Sequence, residues 1–378
     1  MMKKIILGII IILSLIAAVI YSVYMVRINQ QKNVAVNREI YLQYFKAGQD
    51  LFSVGKFSEA ATSFEKSLNA NNDKKQNGQA VLDLAKSYFF SQQPEKAVNI
   101  LKKMSTDQDY PSYYQANALV VLAGFYYFKV EDDNFFRTNV FTGDLEKILV
   151  ESNNSLSLAI NNLLEKSISI YPSIRAYYWS GVWYSEKAII NTDANIKVGY
   201  LQKARDCLSH GDYILASDTQ NNLLGNSAPV YYYLRARLLA RLFTLGGLGS
   251  KAEVDEAFSK ALDLHGKDAR VFTQYNTDFW LRFYWAAFVA EFDGANGQDK
   301  IKELITPIIN DYASGNPVQA NFFQALENLN KDENVNTYSH RKALLVAKYS
   351  PEFKEILVKL GWSEEELGRA ITSLGEVK

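Results

Sequence analysis

Two short stretches, three scattered histidines and one cysteine carry residue types that do chemistry. Gly246-Gly247-Leu248-Gly249-Ser250-Lys251 is superficially like a phosphate loop, in which backbone N–H groups and a lysine cradle a nucleotide. In such loops the lysine precedes the hydroxyl residue and a buried strand leads in. Here the lysine follows Ser250 and no strand pattern precedes it, so the segment reads as a glycine turn into a capped helix, with Ser250 and Glu253 spaced as a capping box. His210, His265 and His340 stand far apart, each beside an expected helix end. The lone Cys207 sits among apolar residues and reads as an inert packed thiol; one cysteine excludes an intrachain disulfide and a thiolate zinc cluster. Glu364, Glu365 and Glu366 form a triple acid at a helix start, where the macrodipole alone accounts for them. No catalytic residue, metal set or cofactor site emerges, and the chain reads as a binding protein, not an enzyme.

The remaining chemical signal is aromatic. Tyrosine numbers 24 and phenylalanine 21, clustered as Tyr177-Tyr178-Trp179, Tyr231-Tyr232-Tyr233 and along Phe279 to Phe288. Three consecutive helical residues cannot face one side, so some of these rings are expected to face a groove or solvent. Charge is balanced at 41 Lys+Arg against 41 Asp+Glu. No global basic field exists to hold nucleic acid, which is therefore not an expected partner.

The elements that position these residues are helical. From 41 to 72, small or aromatic residues recur at helical spacing in two stretches parted by Ser53 to Lys56. Tyr44, Ala47, Gly48 and Leu51 share one face, and Ala60, Phe64, Ser67 and Leu68 share one face of the second helix. This segment resembles the tetratricopeptide repeat family, whose thirty-four-residue helical hairpin places aromatic and small residues at set offsets. With Tyr41 opening the unit, Gly48, Gly55, Phe57, Ala60, Phe64 and Leu68 match in register, while Asn72 stands where a proline usually closes the unit. A second unit carries Leu84, Ala85, Tyr88, Ala97 and Leu101. A third carries Val120, Ala123, Gly124 and Tyr127, then Ile160, Leu164, Ser167 and Pro172, split by an insertion from Glu131 to Ser155 with a short helix expected around Asp144 to Val150. A fourth has Tyr177, Gly181 and Tyr184, then Leu201, Ala204 and Leu208, with extra residues around Asn191 to Asn195; a fifth spans Pro229 to Leu262.

The resemblance implies an all-α, helical-hairpin solenoid over 40–268, extended by helices over 269–378. Ser350-Pro351 and the capping box Ser363/Glu366 start two closing helices. It further implies that first helices line a concave groove holding a protein or peptide. Carried over, the groove positions are Leu42, Phe45, Gln49 and Phe52, then Gln79, Leu82, Lys86 and Phe89, then Val121, Phe125 and Phe128, then Arg175, Tyr178 and Val182. Phe45, Gln49, Phe52, Lys86, Phe89, Phe125, Arg175 and Tyr178 are the expected partner-groove residues. A glycan-binding or glycan-active protein, with Asp278 or Glu291 as acid, and a self-association platform are the alternatives.

At the other end, the chain from Ile5 to Val26 carries no charge and, as a helix, spans roughly 33 Å, enough for a bilayer core. A signal peptide would have a shorter apolar stretch ending in small residues at a cleavage site, whereas Ala17 and Ala18 lie mid-stretch. The expected organisation is a transmembrane anchor over 1–28, single-pass in the cytoplasmic membrane, a polar linker over 29–39, and the remaining chain outside the cytoplasm.

Overall fold

The computed structural model describes residues 24–25, 36–52, 54–71, 73–130, 156–217, 228–246, 248–267, 277–315, 322–323, 326–327 and 338–374. Every regular element among them is helical. Helix α1 covers 36–52, so it begins inside the segment expected as linker. It is followed by α2 (Phe57–Ala70), α3 (Lys74–Phe90), α4 (Pro94–Thr106), α5 (Ser112–Val130), α6 (Leu156–Ile170), α7 (Ile174–Ile190) and α8 (Ala194–Ser217). Then come α9 (Ala228–Gly246), α10 (Lys251–Lys267), α11 (Thr277–Phe292), a 3-10 turn (Gly294–Gly297), α12 (Gln298–Ser314), α13 (Tyr338–Tyr349), α14 (Pro351–Lys359) and α15 (Glu364–Ser373). The expected anchor lies outside the described residues apart from Tyr24 and Met25, as does the short helix over 144–150. No helix among the described residues is long and apolar enough to cross a membrane.

Each helix from α2 to α12 packs on its sequence neighbours, and the odd-numbered helices also touch in series: α3 on α5, α5 on α7, α7 on α9, α9 on α11 and α11 on α13. The odd helices thus form an inner layer flanked by the even ones. Their sequences suit this, because α3 is buried without a break from Ala80 to Phe89 and α11 from Phe283 to Ala290. The even helices keep one apolar face, as in α2, where Ala60, Ala61, Phe64 and Ser67 are buried and Thr62, Glu65 and Lys66 are exposed.

Small residues set the approach of paired helices. A Cβ added at Gly48 would lie 2.7 Å from the Phe64 ring, and one at Gly181 would lie 3.3 Å from the Ala204 carbonyl oxygen and from Cys207 Cβ. A serine one turn beyond the crossing ties each of two pairs shut: Ser67 Oγ donates to the Tyr41 carbonyl at 3.0 Å, and Ser167 Oγ to the Ala116 carbonyl at 3.0 Å. Gly48→Leu is therefore expected to overpack the α1–α2 crossing and cost about 1–3 kcal/mol. Lys66→Ala, an exposed site, is expected to stay within about 0.5 kcal/mol. Urea unfolding of the two variants checks this, and equal midpoint shifts would show that Gly48 is not at the crossing.

Helix starts follow the local code. The Ser250/Glu253 box closes in both directions, with Ser250 N donating to Glu253 Oε2 at 2.8 Å and Glu253 N donating to Ser250 Oγ at 3.2 Å. Gly249, at φ +87°, supplies the left-handed turn before it. Ser350 caps α14 with Pro351 in its first turn, and Ser363 caps α15. Of the extra residues around Asn191 to Asn195, Asn191 to Asp193 lie between α7 and α8 and Ala194 and Asn195 open α8, where Asp193 Oδ1 accepts from the backbone N–H of Asn195 and Ile196.

Candidate functional site

The groove expectation meets the inner layer directly. Phe89 is 1% exposed and stacks on Phe125 with ring centroids 3.8 Å apart and planes 7° from parallel. Phe52 is buried edge-on against Phe57 and Phe90. Tyr178 is fully buried, its ring over Gly211. Lys86 is buried with its Nζ 2.9 Å from Asp83, which also accepts from Gln79. Phe52, Lys86, Phe89, Phe125 and Tyr178 are therefore interior residues, and the expectation that they line an open groove is corrected. Helices α5, α7, α9 and α11 each pack against an outer partner and against the inner helices before and after them. Phe45, Gln49 and Arg175 remain partly exposed, and Leu42 is 52% exposed. The side chain of Phe128 lies outside the described residues.

Beneath the expected groove lies a polar network that no local sequence signal announces. Tyr178 Oη donates to Asp212 Oδ1 at 2.6 Å, and Arg235 clamps the same carboxylate through Nε at 3.0 and 3.1 Å and Nη2 at 3.0 Å. Burial, then the Asp212 charge, pushes the Tyr178 phenol far above its ordinary value. For Arg235 burial disfavours the charge, but the hydrogen bond and attraction of Asp212 more than offset it. This network joins α7, α8 and α9. A second junction pairs Arg241, 1% exposed, with Glu186, and sets its Nη1 3.3 Å from Ser185 Oγ.

The residues considered for chemistry are dispersed. His210 Nδ1 lies 2.7 Å from the Asp206 carbonyl and its ring stacks on Tyr177. His340 is buried against Trp362, and the side chain of His265 lies outside the described residues. Burial pushes the Cys207 thiol up to about 12, so it is a poor nucleophile at neutral pH. Asp278 pairs with Arg282 at 3.0 Å and Glu291 with Arg341 at 3.5 Å, which commits both carboxylates weighed as glycan acids. No cluster of His, Cys, Asp and Glu suited to a metal ion occurs among the described residues. No protein family, no curated protein and no solved structure matches the chain.

Ser67 and Ser167 occupy the same register position, one helix turn beyond Phe64 and Leu164, and that shared offset was the available signal for the two serine ties. The Tyr178–Asp212–Arg235 contacts span 34 and 23 residues, beyond the reach of any spacing rule.

Proposed function

We propose that the chain is a membrane-tethered scaffold of the tetratricopeptide type that holds a protein partner at the membrane surface, in envelope assembly or secretion. The observation that carries the reading is the recurrence of one hairpin geometry: a glycine of the inner helix against the outer helix at Gly48 and Gly181, and a serine-to-carbonyl tie at Ser67 and Ser167. The uncharged run from Ile5 to Val26 supports the tether.

With the middle of the inner layer closed, the partner surface in this proposal is the exposed side of α1, where Leu42, Phe45 and Gln49 succeed one another at helical spacing. An apolar anchor there contributes about 2 kcal/mol or more to binding. The test is a photo-crosslinker at position 42 of the full-length protein, with mass spectrometry of the crosslinked chain. Leu42→Glu is expected to abolish the crosslinked partner from a neighbouring probe at Gln49 while leaving the melting temperature unchanged. Retention of the partner by a folded Leu42→Glu variant would move the binding surface off α1. For the tether, the full chain is expected to resist carbonate extraction and to begin at Met1 or Met2; an intact mass starting after Ser22 refutes it.

A further inference from the structure

Antiparallel packing gathers one set of helix ends. Gly48 meets Phe64 and the Tyr41 carbonyl meets Ser67, so α1 starts where α2 stops. Gly78 lies against the Tyr114 ring, and Phe89 stacks on Phe125, so α3 and α5 run parallel and start at one level. Lys74 bonds Asp107 and Asp109 at 2.8 Å, which sets the start of α3 beside the end of α4. Tyr113 meets Tyr171 edge-on at 5.6 Å, which sets the start of α5 beside the end of α6. One end of the array from α1 to α6 thus holds the starts of the odd helices and the stops of the even ones. The apolar run joins the array at that end. Only nine residues, 27–35, part Val26 from Val36, and fully extended they reach at most about 35 Å.

This end carries what a bilayer interface selects. On α1, Val36 is 53% and Ile40 36% exposed, one turn apart on a stripe that runs on through Gln43 and Ala47. That stripe lies on the side of α1 away from Leu42, Phe45 and Gln49. Two turns of one composition stand at the same end, Tyr110-Pro111-Ser112 before α5 and Tyr171-Pro172-Ser173 before α7. Tyr110, Tyr113 and Tyr171 keep part of their surface in solvent, and both prolines are exposed. Tyrosine, with an apolar ring and a polar tip, settles at headgroup level. Exposed charges there come in neighbouring pairs of opposite sign, Arg38 and Glu39, Glu65 and Lys66, Glu165 and Lys166. Such pairs create no field that demands anionic lipid.

We propose that this end of the array lies on the bilayer, with the two tyrosine turns and the Val36 and Ile40 stripe seated among phospholipid headgroups. The inference rests on the tether in the function proposed above. The occupant is lipid because the short connection to the apolar run brings this end closest to the bilayer. A few interfacial side chains bind weakly by themselves, and the tether holds them at high effective concentration.

The test places an encoded fluorescent amino acid in the full chain, in phosphatidylcholine nanodiscs doped with nitroxide lipid. Positions 36 and 108 report the proposed contact, since Gln108 is exposed beside Tyr110. Position 58 reports the opposite end, because Ser58 is exposed at the start of α2, roughly 20 Å away along that helix. Position 13 lies in the apolar run and reports the tether. Headgroup nitroxide is expected to quench positions 36 and 108 roughly threefold more than position 58. Val36→Glu with Ile40→Glu changes two exposed residues, keeps the fold by circular dichroism, and is expected to bring position 108 within about 1.5-fold of position 58. Replacing part of the lipid by phosphatidylglycerol is expected to change quenching at 108 by less than about 1.5-fold. Equal quenching at 108 and 58, with position 13 quenched by acyl-chain nitroxide, overturns the proposal and leaves the tether standing. Position 13 unquenched overturns both. Quenching at 108 that needs phosphatidylglycerol, or that persists in the folded double variant, also overturns the assignment. Should the double variant unfold, the comparison of positions 108 and 58 decides alone.

Discussion

Replacing Phe89 and Tyr178 together by alanine is expected to unfold the helical array, not to spare it. Each ring is interior, at 1% and 0% exposure, and removing a buried aromatic side chain costs about 3–5 kcal/mol through lost transfer free energy and the cavity left behind. Phe89 is stacked on Phe125 across the α3–α5 contact, and Tyr178 sits over Gly211 with its hydroxyl on Asp212. The two sites lie on different inner helices and stack on different neighbours, so their costs are expected to add, to roughly 6–10 kcal/mol. That is comparable with the whole stability of an ordinary domain. Urea unfolding of each single variant, followed by circular dichroism of the double, is the measurement. A double variant that melts with the parent protein would show that both rings are dispensable surface, and it would restore them as contact residues for a partner. Tyr178→Phe refines the same test. It keeps the ring and removes only the donor to Asp212, so it is expected to cost about 1 kcal/mol, far less than alanine.

The error that placed these rings in a groove has an instructive cause. Tyr177, Tyr178 and Trp179 cannot all face one side of a helix, which is why some of them are expected in a groove or solvent. That geometry is right, but α7 is packed by α5, α6, α8 and α9, so Tyr178 is buried and Tyr177 and Trp179 keep only part of their surface in solvent. Tyr177 stacks on His210, Tyr178 drops onto Gly211, and Trp179 turns toward Ala123 and Gly124 of α5. Three directions find three neighbours. What was legible was local: the caps at Ser250, Ser350 and Ser363 lie within three residues of the N–H groups they satisfy. The glycine crossings at Gly48 and Gly181 were legible too, since helical spacing fixes which residues share a face. Exposure depends instead on helices tens of residues away, and so do the contacts of Asp212 and Arg235.

Arg241→Met is expected to destabilise the protein by about 3–5 kcal/mol, although it nearly conserves volume. Arg241 is 1% exposed on α9 and pairs with the Glu186 carboxylate of α7, while its Nη1 lies 3.3 Å from Ser185 Oγ and 3.5 Å from the Val182 carbonyl. The pair itself is worth little, because desolvating a guanidinium and a carboxylate offsets most of their attraction. Withdrawing one partner is a different matter, since the mostly buried Glu186 carboxylate then keeps its desolvation cost without the cation that compensated it. The double variant Arg241→Met with Glu186→Leu removes both charges and is expected to recover most of the loss, ending within about 2 kcal/mol of the parent or above it. A double-mutant cycle by urea unfolding therefore yields a large coupling energy, near the cost of the single change. If Arg241→Met alone is neutral, Glu186 does not depend on Arg241 and the junction is held by packing. The location gives the cycle its wider meaning. Arg241 and Arg235 both reach from α9 toward the α7–α8 pair, so two charged contacts fix the angle at which one helix pair follows the next. Hydrophobic burial alone tolerates sliding of one inner helix past another, whereas a buried guanidinium with its carboxylate on the facing helix permits one register. A double variant of parental stability with altered spacing between α7 and α9, read by paired spin labels on the two helices, would show that the pair sets geometry and not stability.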